Sequence, residues 1–505
     1  MKTRRANRNG KAVLVTALML LLALCAELLV SCGNPDTGTP DSSSAEASGA
    51  DTAAPAETTE LSYDPGIPSV NWNDAEFLIL YNGNELEPNL DFKAEALNGS
   101  TLNDAVYNRN VKIQEKHKLV VKADYNYDSA IKDTVEKSYK SGEESYHLVE
   151  ANQTYSMTMA VTGMLQSFDN LPKIDLEKPY WYSGLLSGSI LKDKNYFAYS
   201  DANVHAFGAT PCAIFNKKVA KDFNVDNLYK VVEDGRWTYK YMSDIVKGIT
   251  GDLDGDQKIT KDDRLGMIAN NFCVDCFISG SGFQMVSAND EGYPELRVVD
   301  EQFYDIVDGV KDLCSVENGM FLVDRTSTAT EAREYWTEQA ITSDRALFWI
   351  GNLKCAERLR SKETDFGILP IPKANEEQEN YAVHMQANIG ATMAVPVSVQ
   401  NTADVSAIIE DIAYESYLSV MPTYMEVLIQ GQVVRDVESL TTLGIIRGSY
   451  YCDMGFMLGN YGVSILSTCR DIVTNMGETS IKFKASSKVW DSKLRSFREE
   501  MDKLA

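Results

Sequence analysis

Seven short apolar runs recur along this 505-residue chain at strand length. They are EFLILYN (Glu76 to Asn82), KLVVKADY (Lys118 to Tyr125), YHLVEAN (Tyr146 to Asn152), PCAIFN (Pro211 to Asn216), RALFWIG (Arg345 to Gly351), DFGILPIP (Asp365 to Pro372) and GATMAVP (Gly390 to Pro396). Helical patterns stand between them. STLNDAVYNRNVKIQEKH, with Ser100 or Thr101 as cap, puts Leu102, Ala105, Val106 and Ile113 on one face. NTADVSAIIEDIAYESYL opens on a Thr402 cap and keeps Val405, Ile408, Ile409 and Ile412 together. Strand followed by helix, repeated, is the signature of an α/β fold. The stretch from about Ser62 to Ala505 is too long for one core at the usual ~100 to 200 residues per domain, so two lobes are expected. No internal repeat of fixed period is visible.

The first 31 residues predict export. A basic stretch with Lys2, Arg4, Arg5, Arg8 and Lys11 precedes an apolar run from Ala12 to Val30, the layout of a signal peptide. The run is almost long enough to span a bilayer, but it ends in LVSC, Leu29 to Cys32. That tetrapeptide resembles a bacterial lipobox, which implies a diacylglycerol on the Cys32 thiol and removal of residues 1–31. The alternative is an uncleaved anchor with an incidental cysteine. Residues 32–61 then form a lipidated cysteine and a tether of Ser, Thr, Ala, Pro, Gly and acid, which lacks the apolar groups to bury a core. No other segment approaches the roughly 18 apolar residues of a membrane span.

Net charge is −25, and the leader takes five basic residues with it when it goes. Nucleic acid and anionic membrane surfaces call for a basic footprint, so neither is expected as a partner. Beyond Cys32 lie Cys212, Cys273, Cys276, Cys314, Cys355, Cys452 and Cys469, an odd and scattered set that makes a poor disulfide framework. CVDC, Cys273 to Cys276, has redox or metal spacing, but no second such motif and no nearby histidine accompany it. Buried thiols are the expectation there.

DLDGDQKITKDD, Asp252 to Asp263, follows the grammar of a 12-residue calcium loop. Asp252, Asp254 and Asp256 occupy positions one, three and five; the carbonyl of Lys258 is position seven, Thr260 is nine and Asp263 is twelve. Ile259 supplies the apolar residue at position eight. Two departures weaken the site: Gln257 replaces the glycine at position six, and Asp263 is shorter than the bidentate glutamate usual at position twelve. Sensors and docking modules carry paired loops, and only one is present here.

Longer strings carry a family resemblance. GSTLNDAVYNRNVKIQEKH, IDLEKPYWYSG, CAIFNKKVAKDFNV with DGRWTYKYMSDIVKGI, and DFGILPIPKANEEQENY with ATMAVPVSVQNTADVSAIIEDIA occur in that order. Together they resemble an extracellular solute-binding protein of the sugar-type family 1, the receptor component of ABC importers. VVRDVESLTTLGIIRGSYYCDMG resembles a C-terminal region of clostridial members. The resemblance implies a two-lobed, periplasmic-binding-protein-like fold with a hinge, of the maltose-binding-protein class. Its crossing points give lobe one as 75–208 with 391–425 and lobe two as 209–390 with 426–505. It also implies a carbohydrate ligand, permease subunits as partners, a monomer, and a place on the outer face of a cell membrane, Gram-positive in type. On this reading the loop at 252–263 is a structural calcium staple.

Catalysis has no comparable signal: the chain lacks G-x-S-x-G, H-E-x-x-H and a phosphate loop. A surface glycan-degrading enzyme, or a receptor for a non-sugar solute, remains the alternative. His117, His147, His205 and His384 are dispersed and expected at the surface or in cores. Sugar recognition needs aromatic faces and planar polar groups at strand ends. The candidates are Asn82 and Asn84, Glu150 and Asn152, Trp181, Asp201, and Trp349 with Asn352. Trp349 is the leading one and Trp237 is expected to be packed.

Overall fold

The computed structural model describes residues 66–83, 91–316, 319–323, 330–359, 361–429 and 437–504. The leader, Cys32, the tether and Asn84 lie outside the described residues. β1 (Ala75–Asn82) runs parallel to β2 (Leu119–Asn126) on one side and to β3 (Leu148–Asn152) on the other. The helix between β1 and β2, Thr101–His117, takes Ser100 as its N-cap residue, yet the serine side chain makes no capping bond. Instead Asp104, in the first turn, accepts from the N–H groups of Asn98 and Gly99.

A second sheet follows, made of β4 (Pro211–Asn216), β5 (Leu265–Ala269), β8 (Met320–Leu322), β9 (Ala346–Asn352) and β10 (Phe366–Leu369) in the order β10-β4-β9-β5-β8. A small hairpin, β6 (Val286–Ala288) with β7 (Pro294–Leu296), stands apart from it. β5 is parallel to β8 and β9, whereas β4 opposes β9 and β10 opposes β4. The chain then returns to the first sheet, where β11 (Ala391–Ala394) lies antiparallel along β3 and completes the order β11-β3-β1-β2. The fold is therefore α/β and two-lobed. The helix after β11, Thr402–Glu415, is capped by Asn401, whose side chain accepts from Asp404 N–H, and not by Thr402.

Side-chain alternation divides the second sheet between two cores. Ala213, Phe215, Met267, Phe348 and Ile350 point to the side holding Trp237, Phe277 and Phe303. Cys212, Ile214, Ile268, Trp349 and Ile368 point to the other, with Leu353, Leu443 and Ile446. Both faces are covered, which accounts for strands without polar alternation. In the first sheet Phe77, Ile79 and Leu148 meet Ile408 and Ile412 of the Thr402–Glu415 helix.

Between the lobes the first crossing is pinned by polar contacts. Asp201 accepts from the Tyr182 hydroxyl at 2.8 Å and from Arg447 Nη2 at 2.6 Å. Arg447 belongs to the helix Val437–Gly448, which grips β10: Thr442 Oγ1 donates to the Ile368 carbonyl and Ser439 Oγ accepts from Ile368 N–H. Gly184 lets the 180–200 segment close on this region, since a Cβ there would sit 2.1 Å from the Tyr450 carbonyl oxygen.

Candidate ligand site

Ligands of open α/β sheets sit beyond the carboxyl ends of the strands. In the second sheet β5 ends at Ala269 and leads through Asn270 to Asn271 and Phe272, where the helix Phe272–Gly280 begins. β9 ends at Asn352, and because β4 is antiparallel to it, Pro211 stands opposite Asn352 at the same edge. The segment 384–390, which leads back into β11, crosses that edge. A pocket of about 220 Å³ opens here. Asn271, Phe272 and Asp275 come from the β5 side, His384, Gln386 and Asn388 from the crossing segment, and Phe456 and Arg470 from the C-terminal part of the chain.

The crossing segment ties the pocket to the first lobe. Asn388 Oδ1 accepts from Thr154 Oγ1 at 3.1 Å, and its carbonyl accepts from Asn152 Nδ2 at 3.3 Å. On the other side Gln386 Oε1 accepts from Asn352 Nδ2 at 3.4 Å. The carboxyl ends of both sheets thus converge on a stretch of a few residues, a geometry through which a bound solute would touch both lobes.

The charged groups of the wall are matched. Arg470 donates through Nε to Asp275 Oδ1 at 2.8 Å and through Nη2 to Oδ2 at 2.5 Å, a bidentate pair. Burial pushes the Asp275 carboxyl up, opposed by the guanidinium. Burial also works against the charge on Arg470, and the Asp275 carboxylate more than restores it. His384 Nδ1 donates to the Met385 carbonyl at 2.6 Å, and its ring stacks on Phe456 at 4.1 Å. Burial lowers its pKa to about 4, so the imidazole is neutral near pH 7.

Most of the residues expected from sequence to bind ligand are occupied elsewhere. Trp349 is 4% exposed in the core beneath the helix Leu353–Leu359, with the Arg358 guanidinium 5.3 Å over its ring, so it offers no face to a sugar. Trp181 is 2% exposed and donates to Glu410 Oε2 at 2.9 Å. Asp201 is spent on Tyr182 and Arg447. Glu150 is fully buried, accepts from Asn203 Nδ2, and is held well above the usual carboxylate range by burial and by Asp91 beside it. Asn152 caps the helix Gln153–Val161 and donates to Asp128. Asn82, half-buried at the end of β1, bonds to Asp128 as well. Of the set, Asn352 and Asn152 reach the pocket's edge, through Gln386 and Asn388 respectively. Trp237 lies in the core and donates to the Pro370 carbonyl.

Asn271, Phe272, Asp275, Gln386 and Arg470 were missed. The strand-end rule reaches the first three only if DRLGMIANN is a strand, and the acidic loop running straight into its five residues hides that. Arg470 lies on a helix far along the chain, and no local pattern marks it.

At the opposite end of β5, the 252–263 loop closes on itself. Oxygen atoms of Asp252, Asp254 and Asp256 lie within 4.8 Å of one another, all three residues being exposed. Asp252 accepts from the N–H groups of Gly255 and Gln257, and Asp256 from that of Lys258. Gln257, at the position where such loops carry glycine, has φ +66°. Asp263 is buried, and its carboxylate accepts from Leu253 N–H and from the N–H and hydroxyl of Thr260. The seven cysteines beyond Cys32 are all buried, with the Cys273 and Cys314 sulfurs 3.9 Å apart.

No protein-family model matches the chain, and no curated protein sequence does. Solved structures do. The sugar-binding protein MalE from Xanthomonas citri aligns at a TM-score of 0.56 and 9% identity, over 85% of this chain and 100% of its own. The GacH receptor of Streptomyces glaucescens, solved unliganded and with acarbose, aligns at 0.53 and 11% identity, over 86% and 100%. UgpB from Mycobacterium tuberculosis, in complex with glycerophosphocholine, aligns at 0.51 and 13% identity, over 78% and 95%. The fold this chain shares with them is the two-lobed α/β architecture typified by maltose-binding protein.

Proposed function

We propose that this chain is a solute-binding receptor that closes about a hinge on a carbohydrate and delivers it to the permease subunits of an ABC importer. The observation that carries the reading is the pocket at 271–275, 384–388 and 470, where strand ends of one lobe meet a segment bonded to the other. Amide groups of Asn271, Gln386 and Asn388 suit sugar hydroxyls, and Phe272 and Phe456 suit the C–H faces of a ring. A glycosidase uses two carboxylates across the scissile bond, and among the residues lining this pocket Asp275 is the one carboxylate. The test is calorimetric titration of the purified protein with a panel of glycans, followed by analysis of the eluted sugar. One-to-one binding with intact sugar returned is expected; cleaved sugar would overturn the reading.

The loop at 252–263 is proposed as a structural calcium site. Three carboxylates within 4.8 Å form an all-oxygen donor set suited to a hard cation. Asp252, Asp254, Asp256, the Lys258 carbonyl, Thr260 and Asp263 would hold it, the last of these giving up its bonds to Leu253 and Thr260 to do so. The anchor is proposed to be a lipid on Cys32, on the outer face of the membrane. Replacing Cys32 with Ala should release the protein or leave it unprocessed, and unchanged membrane retention with normal processing would refute this.

A further inference from the structure

The charges in the pocket wall bear on which solutes it admits, an inference that rests on the receptor reading above. Arg470 is the one guanidinium lining the pocket, and a guanidinium facing a pocket is ordinarily a carboxylate or phosphate receptor, because its planar fork matches those groups. Here two of its donors, on Nε and Nη2, are already bound to the two oxygens of Asp275. Asp275 is itself buried on the helix Phe272–Gly280, whose first turn forms the β5 side of the pocket. Its carboxylate therefore stands where an acidic ligand's carboxylate would otherwise bind.

The rest of the lining adds no net charge. His384 is uncharged, with its Nδ1 proton on the Met385 carbonyl, and the other polar lining groups are the amides of Asn271, Gln386 and Asn388. An anionic solute entering this pocket would lose its hydration and meet Asp275 at close range, with the one cation already neutralised. A neutral polyol loses less on desolvation, and the remaining N–H groups of Arg470 can still donate to hydroxyls.

We infer that Asp275 is a specificity-determining residue: by occupying Arg470 from within the wall, it restricts the pocket to neutral polyhydroxylated solutes and excludes uronic acids and phosphate esters. The pocket that this pair lines has a volume of about 220 Å³.

The test is a charge-paired panel on the purified full-length protein: maltotriose, cellotriose and mannotriose against trigalacturonic acid, glucose 6-phosphate and glycerophosphocholine. The wild type should bind a neutral member at least roughly tenfold more tightly than any acidic or phosphorylated one. Its affinity should hardly change between low and high salt, since no counter-charge is exchanged. Asp275→Asn releases Arg470 and should shift the ratio by roughly tenfold or more toward the anionic members, with salt dependence appearing. If that variant does not fold, the wild-type ratio and its salt dependence still decide. An anionic or phosphorylated member binding most tightly to the wild type would overturn the inference and leave the receptor reading standing. Binding of none of the probes would count against both.

Discussion

At the amino end of β5, Asp252, Asp254 and Asp256 crowd within 4.8 Å and turn their oxygens on loop N–H groups. At its carboxyl end, beyond the five residues of the strand, Asp275 is held by both prongs of the Arg470 guanidinium. The first three are acids on the loop before the strand, and the last is an acid on the helix after it. The three are placed among like charges, which favours a divalent cation; Asp275 is matched in advance, which favours a neutral solute. A short, fully buried strand separates them, so ion and solute are expected to bind without sensing each other.

The largest effect should come from the sheet between these ends. Trp349→Ala removes a ring packed beneath Arg358 and should cost about 3 to 5 kcal/mol of unfolding free energy, the range for aromatic truncation in a core. Solute affinity in the folded fraction should stay within about twofold of the wild type. A variant with normal stability and a tenfold loss of affinity would put Trp349 at the site after all.

Next in size is a pH effect behind the pocket. Asp453 is fully buried, accepts from the N–H groups of Met285, Val286 and Gly455, and is raised by burial to about 7. Its folded pKa lies above its unfolded value, so its contribution is fully present below about pH 4 and is lost as pH rises through about 7. His205 and His384, lowered by burial to about 3 and about 4, act in the opposite sense over an overlapping range, so the whole-protein slope is not diagnostic. Asp453→Asn isolates the term: relative to the wild type it should gain up to about 4 kcal/mol between pH 4 and pH 8, at ~1.4 kcal/mol per pH unit. Parallel melting curves for the two proteins across that range would contradict it.

The amino end is tested by calcium itself. At a free concentration 100 times Kd, calcium should add about 2.7 kcal/mol of stability, and Asp254→Asn should abolish the gain. Solute affinity should be the same with calcium and with chelator. A tenfold difference would mean that the two ends of β5 are coupled. The smallest effect concerns Gln257, whose left-handed backbone costs a residue with a side chain about 1 kcal/mol. Gln257→Gly should tighten calcium by up to about fivefold, and unchanged affinity would show that the loop adjusts without cost.

The sequence made the strands of the first lobe and β4 legible because each is an apolar run bounded by turn residues; β4 coincides with PCAIFN end to end. β5 and β8 escaped notice, being five and three residues long. The twelve residues of the 252–263 loop are contiguous, so its pattern could be read directly. The pocket could not, because its walls come from positions as distant as Asp275 and Arg470, 195 residues apart. Strand-end logic points to sheet edges, yet it gives no way to tell a polar side chain facing solvent from one spent on a cap or an ion pair. Asn152, Asp201 and Glu150 are all at plausible edges, and each is committed to its own lobe or to the crossing.

β11 closes the first sheet by pairing Thr392 with Ala151, and the Thr392 hydroxyl donates to that same Ala151 carbonyl, 241 residues back. During synthesis β3 must therefore wait with one edge open while the whole second sheet is made. At about 5 to 20 residues per second the delay is on the order of ten to fifty seconds, far longer than the microseconds a hairpin needs to form. A strand buried over its whole length in the finished molecule is, for that interval, a template for any other extended chain nearby. The nascent first lobe is thus the aggregation-prone stage of this molecule's life, and its high contact order predicts slow folding that tolerates a holding chaperone.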